Sequence, residues 1–279
     1  MSGGRQLNPP VDNRAGRVCI VIPAWNEEAP LSVLLQSLPV RVLGREVSTI
    51  VVSDGSTDHT EEVAGAAGAT VISISGNRGK GAAVRAGILA AEREGFDYLV
   101  TMDADGQHDP AELERLLHPI IDEGYDIVIG TRFLDSRGRG TVPLNRYLLR
   151  KALLSYVNRG LRSSYTDLFC GYRGFSRPAL ARVRFVGNRY HCELETIFDA
   201  AIHGLRVAEV PVRRIYVEGG TKMGAQVGSV LGRIWVLFQY LETIRRKNRE
   251  LREASSPPRG TRTTVSPRPI DTTPTGAEE

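Results

Sequence analysis

The chain has 279 residues, 41% of them hydrophobic, with 29 glycines, 15 prolines and a formal net charge of +4. This composition excludes a disordered or fibrous chain and allows a substantial core in one large domain or two small ones. The mild positive balance suits phosphates, nucleotides or an anionic membrane surface without choosing among them, and three cysteines with no CxxC pair exclude a disulfide framework and a zinc site.

In chain order, residues 1–16 lack the apolar core of a signal peptide and read as a flexible leader to a cytoplasmic protein. Val18–Ile22 (VCIVI) predicts a buried strand. PAWNEEAP leads from it into LSVLLQSL, whose leucines at 31, 34, 35 and 38 keep helical spacing. Val47–Val52 predicts a second strand, followed by SDGSTD, where Asp58 and Glu61 resemble a capping box for a helix through Ala67. Ala69–Ile74 predicts a third strand, SGNRGKG a glycine-rich turn, and Ala82–Glu94 a helix. The apolar run of Tyr98–Pro110 (YLVTMDADGQHDP) then ends in Asp103, Asp105 and Asp109, which reads as a parallel strand delivering carboxylates at its C-terminal end. Ala111–Asp122 predicts a helix and Tyr125–Ile129 a strand ending in GTR. Alternation of this kind predicts an α/β fold, a twisted and mainly parallel Rossmann-like sheet with helices on both faces.

Past residue 135, Asn145–Leu161 predicts an arginine-rich amphipathic helix and DLFCGYRGFSR a strand pair with a turn. Tyr190–His203 reads as helix, Leu205–Ile215 as extended, and VEGGTKMG as a glycine-rich loop. Val227–Ile244 is apolar but carries Arg233, and Arg245, Arg246, Lys247, Arg249 and Arg252 follow it. It is too polar to span a bilayer. The helix over 227–252 either lies on an anionic membrane surface or packs on the core with a solvated basic end. The Pro/Thr-rich 253–279 reads as disordered.

In open α/β sheets, ligands bind at the carboxyl ends of the strands. Asp103, Asp105 and Gln107, spaced two apart, are hard oxygen donors of the kind Mg2+ or Mn2+ takes, usually shared with substrate phosphates. Asp109 with Pro110 reads instead as a helix cap. After the first strand, Pro23 shapes the exit, Trp25 offers a stacking face and Glu27 an acceptor for ribose hydroxyls; Asn26 and Glu27 capping a helix is the alternative. Asp54 is placed to read a base N–H or to close an Asx turn. Lys80 precedes a helix N-terminus as a phosphate grip or a solvated lysine, and Arg132 in GTR can neutralise a diphosphate or an acceptor phosphate.

PAWNE, SDGSTD, NRGKGAAVRAG, MDADGQHDP, GTR, DLFCGYRGF, EVPV and GGTK, in that order over roughly Arg17 to Gln226, resemble glycosyltransferase family 2. The likeness is greatest to its polyprenyl-phosphate, dolichyl-phosphate mannosyltransferase-like branch. The resemblance implies a GT-A fold over residues 17–226 and a nucleoside-diphosphate sugar donor of the GDP-mannose or UDP-glucose type. It also implies a divalent cation and inverting transfer to a polyprenyl phosphate. By the same resemblance Pro23, Trp25, Glu27 and Asp54 hold the nucleoside, and Asp103 with its neighbour Ala104, Asp105 and Gln107 organise metal and diphosphate. Lys80, Arg132 and Lys222 meet phosphates, and Asp105, Arg132 and Asp167 form the catalytic set. Asp167 is the candidate base if the acceptor is a hydroxyl, with Glu193 and Glu195 behind it; positioning the acceptor or fixing the GYR turn is its other reading.

The sequence departs from the family in three places. Trp25 stands for a usual Tyr, Ser53–Asp54 for two aspartates, and Tyr216, Val217 and Glu218 where a basic residue commonly precedes the GGTK-like loop, so that Arg213 or Arg214 would have to reach in. No transmembrane pair of the kind some members carry is present, so a lipid substrate is expected to be met at the inner face of the membrane. A nucleotidyltransferase would need a glycine-rich loop with Arg and Lys where PAWNEE stands. A soluble or protein hydroxyl acceptor, or a silent nucleotide-sugar binder, remains the alternative, and no nucleic-acid partner is expected.

Overall fold

The computed structural model describes residues 16–134, 144–187, 191–213, 215, 230–254 and 268–269. Its elements are β1 Val18–Ala24, α1 Glu28–Ser37, β2 Arg41–Val42, β3 Arg45–Asp54, α2 Thr60–Ala66, β4 Thr70–Ile74, α3 Lys80–Arg93 and β5 Tyr98–Thr101. A 3-10 turn at Pro110–Glu112 opens α4 Leu113–Asp122, followed by β6 Ile127–Thr131 and α5 Leu144–Leu161. The rest are β7 Arg173–Ser176, α6 Arg177–Leu180, α7 Cys192–His203, β8 Val207–Pro211, a last helix, α8, Val230–Ala254, and β9 Arg268–Pro269.

The strands form one sheet in the order β2-β3-β1-β5-β7-β6-β8-β9, with β4 also paired to β3. β1, β3, β4 and β5 run parallel, as do β6, β8 and β9. β7 is inserted antiparallel between β5 and β6, with Leu99 opposite Phe175 and Ile127 opposite Phe175. DLFCGYRGFSR therefore contributes one strand rather than a pair, because the Leu168, Cys170 and Gly171 carbonyls of its first half are taken by the side chains of Arg173 and Thr101 rather than by a partner strand. The core is the apolar runs themselves: Val18 to Ile22, Val51, Val100 and Ile127 to Ile129 are essentially fully buried. Runs this continuous mark strands covered on both faces.

One local expectation fails for an identifiable reason. Asp58 does not form a capping box with Glu61: its Oδ1 accepts the Thr60 N–H at 3.1 Å and its Oδ2 the Glu28 N–H at 3.2 Å, while Glu61 accepts from Ser73 at 2.6 Å. Asp58 thereby stitches the loop after β3 to the start of α1 as well as to the first residue of its own helix. Asn26, at φ 53, completes the stitching by accepting the Thr57 N–H at 2.7 Å. Asp109, by contrast, does cap its turn, accepting the Ala111 N–H at 3.0 Å.

The basic end of the C-terminal helix is partly consumed by the core. Lys247 is buried, with Nζ 2.5 Å from Asp199 of α7 and 3.0 Å from Glu250. Arg246 pairs with the buried Glu195, and Tyr240 stacks edge-on against Phe169 at 5.2 Å. Of the two readings of this helix, packing on the core is the one observed over Tyr240–Lys247; Arg245, Arg249 and Arg252 stay exposed. Among the described residues no helix is long and apolar enough to cross a membrane.

Candidate active site

Because β1, β3, β5 and β6 share a direction, their C-terminal ends bring PAWNE, SDGSTD, MDADGQ and GTR to one edge of the sheet. The N-terminal end of the antiparallel β7 adds the GYR turn to the same edge. Pro23, Trp25 and Glu27 are half-buried there, and Glu27 precedes α1 without capping it through its side chain.

Asp54 is buried, and its two oxygens accept the backbone N–H groups of Arg78 at 2.8 Å and Gly79 at 2.6 Å. It does not close an Asx turn: the carboxylate fastens the glycine-rich loop to the end of β3. Gly55 makes that close approach possible, since a Cβ there would lie 2.7 Å from the Gly76 carbonyl carbon.

The fastened loop starts α3 at Lys80, which is not solvated. Its Nζ lies 2.6 Å from Asp103 Oδ1 and 2.6 Å from Glu193 Oε1, all three side chains being largely buried. Burial works against the ammonium, but the two facing carboxylates outweigh it and hold the Lys80 pKa well above its ordinary value. Burial likewise opposes ionisation of Asp103, yet Lys80 and His108, whose Nε2 is 3.5 Å away, hold that carboxyl far below the usual range. Gly171 packs directly on this pair: a Cβ on it would stand 2.6 Å from Lys80 Nζ and 2.8 Å from Asp103 Oδ1.

Asp105 accepts the Gln107 N–H at 3.1 Å, and burial together with the charge of Asp103 pushes its carboxyl up. A hard divalent cation relieves exactly that kind of repulsion, and the oxygens of Asp103, Asp105 and Gln107 fit Mg2+ or Mn2+. Among the described residues no three His, Cys, Asp or Glu side chains converge as a metal cluster. A cation here would thus complete its shell with an amide, water and substrate phosphates, which Mg2+ tolerates well. Ala104 is packed into the core, leaving only its backbone to meet a ligand.

A second charged cluster lies beside the first. Asp167, fully buried, accepts from Arg132 Nε at 2.8 Å and Nη2 at 3.3 Å, and from the Phe169 N–H at 3.0 Å. Arg150 of α5 brings Nη2 to 2.5 Å from the same carboxylate, although that nitrogen lacks hydrogen-bond geometry to any acceptor. Its guanidinium lies over the Phe133 ring at 3.8 Å. Burial raises the cost of charge on Asp167, but Arg132 and Arg150 overcome it and draw its pKa down to about 2. A carboxylate engaged by two guanidiniums and the Phe169 N–H fits the positioning reading of Asp167 better than the general-base one. Burial and the neighbouring Arg132 in turn depress the pKa of Arg150. Lys222 and the glycine-rich loop around it lie outside the described residues.

Residues 19–184 match the model of glycosyl transferase family 2. The chain belongs to glycosyltransferase family 2. Among its curated relatives, polyprenol monophosphomannose synthase of Mycolicibacterium smegmatis is 32% identical over 211 residues, covering 70% of this chain and 76% of that one. Undecaprenyl-phosphate mannosyltransferase of Micrococcus luteus is 31% identical over 247 residues, covering 82% and 98%. A solved structure of glucosyl-3-phosphoglycerate synthase from Mycobacterium tuberculosis, with Mn2+, UDP-glucose and phosphoglyceric acid, superposes with a TM-score of 0.65 at 24% identity, covering 84% of this chain and 80% of that one. That likeness establishes the GT-A fold.

Two roles in this family 2 site were not readable from spacing along the chain. Arg150 is one basic residue among several on α5, and Glu193, read from the sequence as a reserve base, pairs instead with Lys80. Arg173 of the GYR turn is fully buried, donating to the carbonyls of Cys170, Glu193 and Leu168 at 2.8, 2.6 and 2.9 Å, and a charged residue inside a predicted strand is the hint it offers.

Proposed function

We propose that this family 2 chain is an inverting hexosyltransferase that moves a sugar from a nucleoside-diphosphate donor, of the GDP-mannose or UDP-glucose type, to a polyprenyl phosphate at the membrane surface. The observation that carries the acceptor is the Arg132–Asp167–Arg150 cluster. Two guanidiniums face one carboxylate there, leaving a net positive charge flanked by Phe133 and Phe169. The names of the curated relatives support the same class of acceptor.

In this reading Pro23, Trp25 and Glu27 receive the nucleoside, with Asp54 fixing the adjacent loop. Asp103, Asp105 and Gln107 hold Mg2+ or Mn2+, which when bound supplies positive charge to the donor diphosphate. Arg132 and Arg150 bind the acceptor phosphate and turn one of its oxygens toward the anomeric carbon. As that oxygen bonds to carbon, the bond to the diphosphate breaks, and the nucleoside diphosphate leaves with the electron pair. A phosphate monoester, with its second pKa near 6, is mostly dianionic at neutral pH, so no protein base is needed. Asp167 accordingly serves by remaining ionised and holding both arginines.

The test is nucleoside diphosphate release from a panel of GDP- and UDP-sugars, with Mn2+ or Mg2+. Each donor is offered a polyprenyl phosphate, phosphoglyceric acid or no acceptor. Release that needs both metal and lipid phosphate supports the reading. Release that follows phosphoglyceric acid moves the acceptor to soluble phosphate monoesters, and no release with any donor returns the chain to a nucleotide-sugar binder.

A further inference from the structure

One motif remains unused by the chemistry above, the EVPV run beginning at Glu209. In the middle of β8, with parallel neighbours β6 and β9, an apolar side chain is the ordinary choice. Glu209 is instead a carboxylate with 2% exposure, which is costly unless its oxygens are satisfied. They are satisfied by one short stretch of chain. Oε1 accepts the N–H of Asp167 at 3.0 Å and that of Thr166 at 3.0 Å, while Oε2 accepts the Thr166 N–H at 2.9 Å and the Thr166 hydroxyl at 3.1 Å. The Thr166 hydroxyl also meets that of Thr131, one residue before Arg132, at 2.7 Å.

We propose that Glu209 is a positioning residue for the acceptor-phosphate arginines: it grips the backbone at Thr166 and Asp167 so that the Asp167 carboxylate stands between Arg132 and Arg150. The inference rests on the reading that this arginine pair takes the acceptor phosphate. Glu209 touches neither arginine, and its whole effect passes through the Thr166–Asp167 backbone. A carboxylate suits the task because it offers acceptors to two successive N–H groups at once, whereas a carboxamide presents an N–H2 to one of them. The chain thus spends one buried acid on the turn and a second on the arginines.

The test uses the full chain and the substitution Glu209→Gln, with Ile127→Val on neighbouring β6 as a control for general loosening of the sheet. Two readouts are taken. In steady state with farnesyl phosphate as acceptor, Glu209→Gln is expected to raise the acceptor KM about tenfold or more while the donor KM moves less than about twofold, the split that separates positioning of one substrate from global damage. In the arginine side-chain 15N–1H spectrum, the Arg132 Nε–H signal, set by its bond to Asp167, is expected to move in Glu209→Gln and stay in place in Ile127→Val. Should Glu209→Gln fail to fold, Glu209→Asp, which keeps the charge but is one methylene short, takes its place with the same expectations. Equal changes in both KM values, or an unmoved Arg132 signal, overturn the proposal. A wild-type protein inactive with farnesyl phosphate counts against the acceptor reading alone, and the Arg132 signal then decides the role of Glu209.

Discussion

Lys80 Nζ stands 2.6 Å from Oδ1 of Asp103, so the carboxylate at the end of β5 is held by a cation from the start of α3, with Glu193 of α7 on the ammonium's other side. Removing one partner from a buried ion cluster leaves the others uncompensated, at a typical cost of about 3–5 kcal/mol, here less because the site is partly open to solvent. Lys80→Met is therefore expected to lower the unfolding free energy by about 2–3 kcal/mol, measured by denaturant titration. Because a divalent cation can replace the missing charge, Mn2+ is expected to restore more stability to this variant than it adds to the wild type. Equal stabilisation of both would mean that Asp103 does not face the cation site.

Arg150 brings a second guanidinium to Asp167, and its planar fork suits phosphate better than an ammonium does. Arg150→Gln is expected to lower kcat/KM for a phosphate acceptor by about tenfold to a hundredfold while leaving the donor KM near its wild-type value, since a charge-assisted hydrogen bond contributes roughly 1.5–3 kcal/mol. Arg150→Lys should recover only part of the loss. A donor KM that rises in step with the acceptor KM would place Arg150 at the diphosphate instead.

The two buried acids of this region titrate in opposite senses, which gives a signed test. Asp167 has its pKa drawn down to about 2, so its contribution to stability is present above the ordinary aspartate pKa and is lost as pH falls through about 2. Glu209 is pushed up to about 7 by burial, against the hydrogen bonds it accepts. Its contribution is therefore present below the ordinary glutamate pKa and is lost as pH rises through about 7. Chemical denaturation across pH should show the gap between wild type and Asp167→Asn closing only toward the acid end. The stability of wild type relative to Glu209→Gln should decline between about pH 4.5 and 7 and then level off. A gap for Glu209→Gln that widens over that range would show that the hydrogen bonds from Thr166 and Asp167 outweigh burial at Glu209.

Lys247 and Asp199 fasten α8 to α7 through a buried pair at 2.5 Å, and Asp199 also accepts the Arg184 N–H at 2.8 Å. Lys247→Met alone is expected to cost about 3–5 kcal/mol by stranding Asp199. Adding Asp199→Asn, which removes the stranded charge and can still accept from Arg184, should recover a large part of that cost. Additive losses in the double variant would show that the pair is not coupled.

The parallel strands β1, β3, β5 and β6 were legible because each holds a short apolar run that meets Pro23, Asp54, Asp103 or Gly130, and those endings are also the loops of the site. Val18–Ile22 and Tyr98–Thr101 needed no partner information to be placed. What the sequence hid was long-range pairing. Lys80 looks like a solvated lysine until α7, more than a hundred residues later, supplies Glu193. Asp58 looks like a cap until the loop after β1 takes its second oxygen. Lys247 stands in a run of basic residues of which Arg245, Arg249 and Arg252 are exposed, and only the packing of α8 on Asp199 distinguishes it. Arg150 meets the Asp167 carboxylate and Glu209 the Asp167 backbone N–H from different elements, a relationship that no spacing along the chain expresses.

The most direct measurement of the central claim is mass analysis of the lipid after purified protein has been incubated with Mn2+, the donor found active in the release panel and a polyprenyl phosphate. The account predicts a polyprenyl phosphate carrying one hexose, formed by the wild type and reduced to background in Asp105→Asn with its fold intact. Donor consumed without any sugar appearing on the lipid phosphate would contradict it.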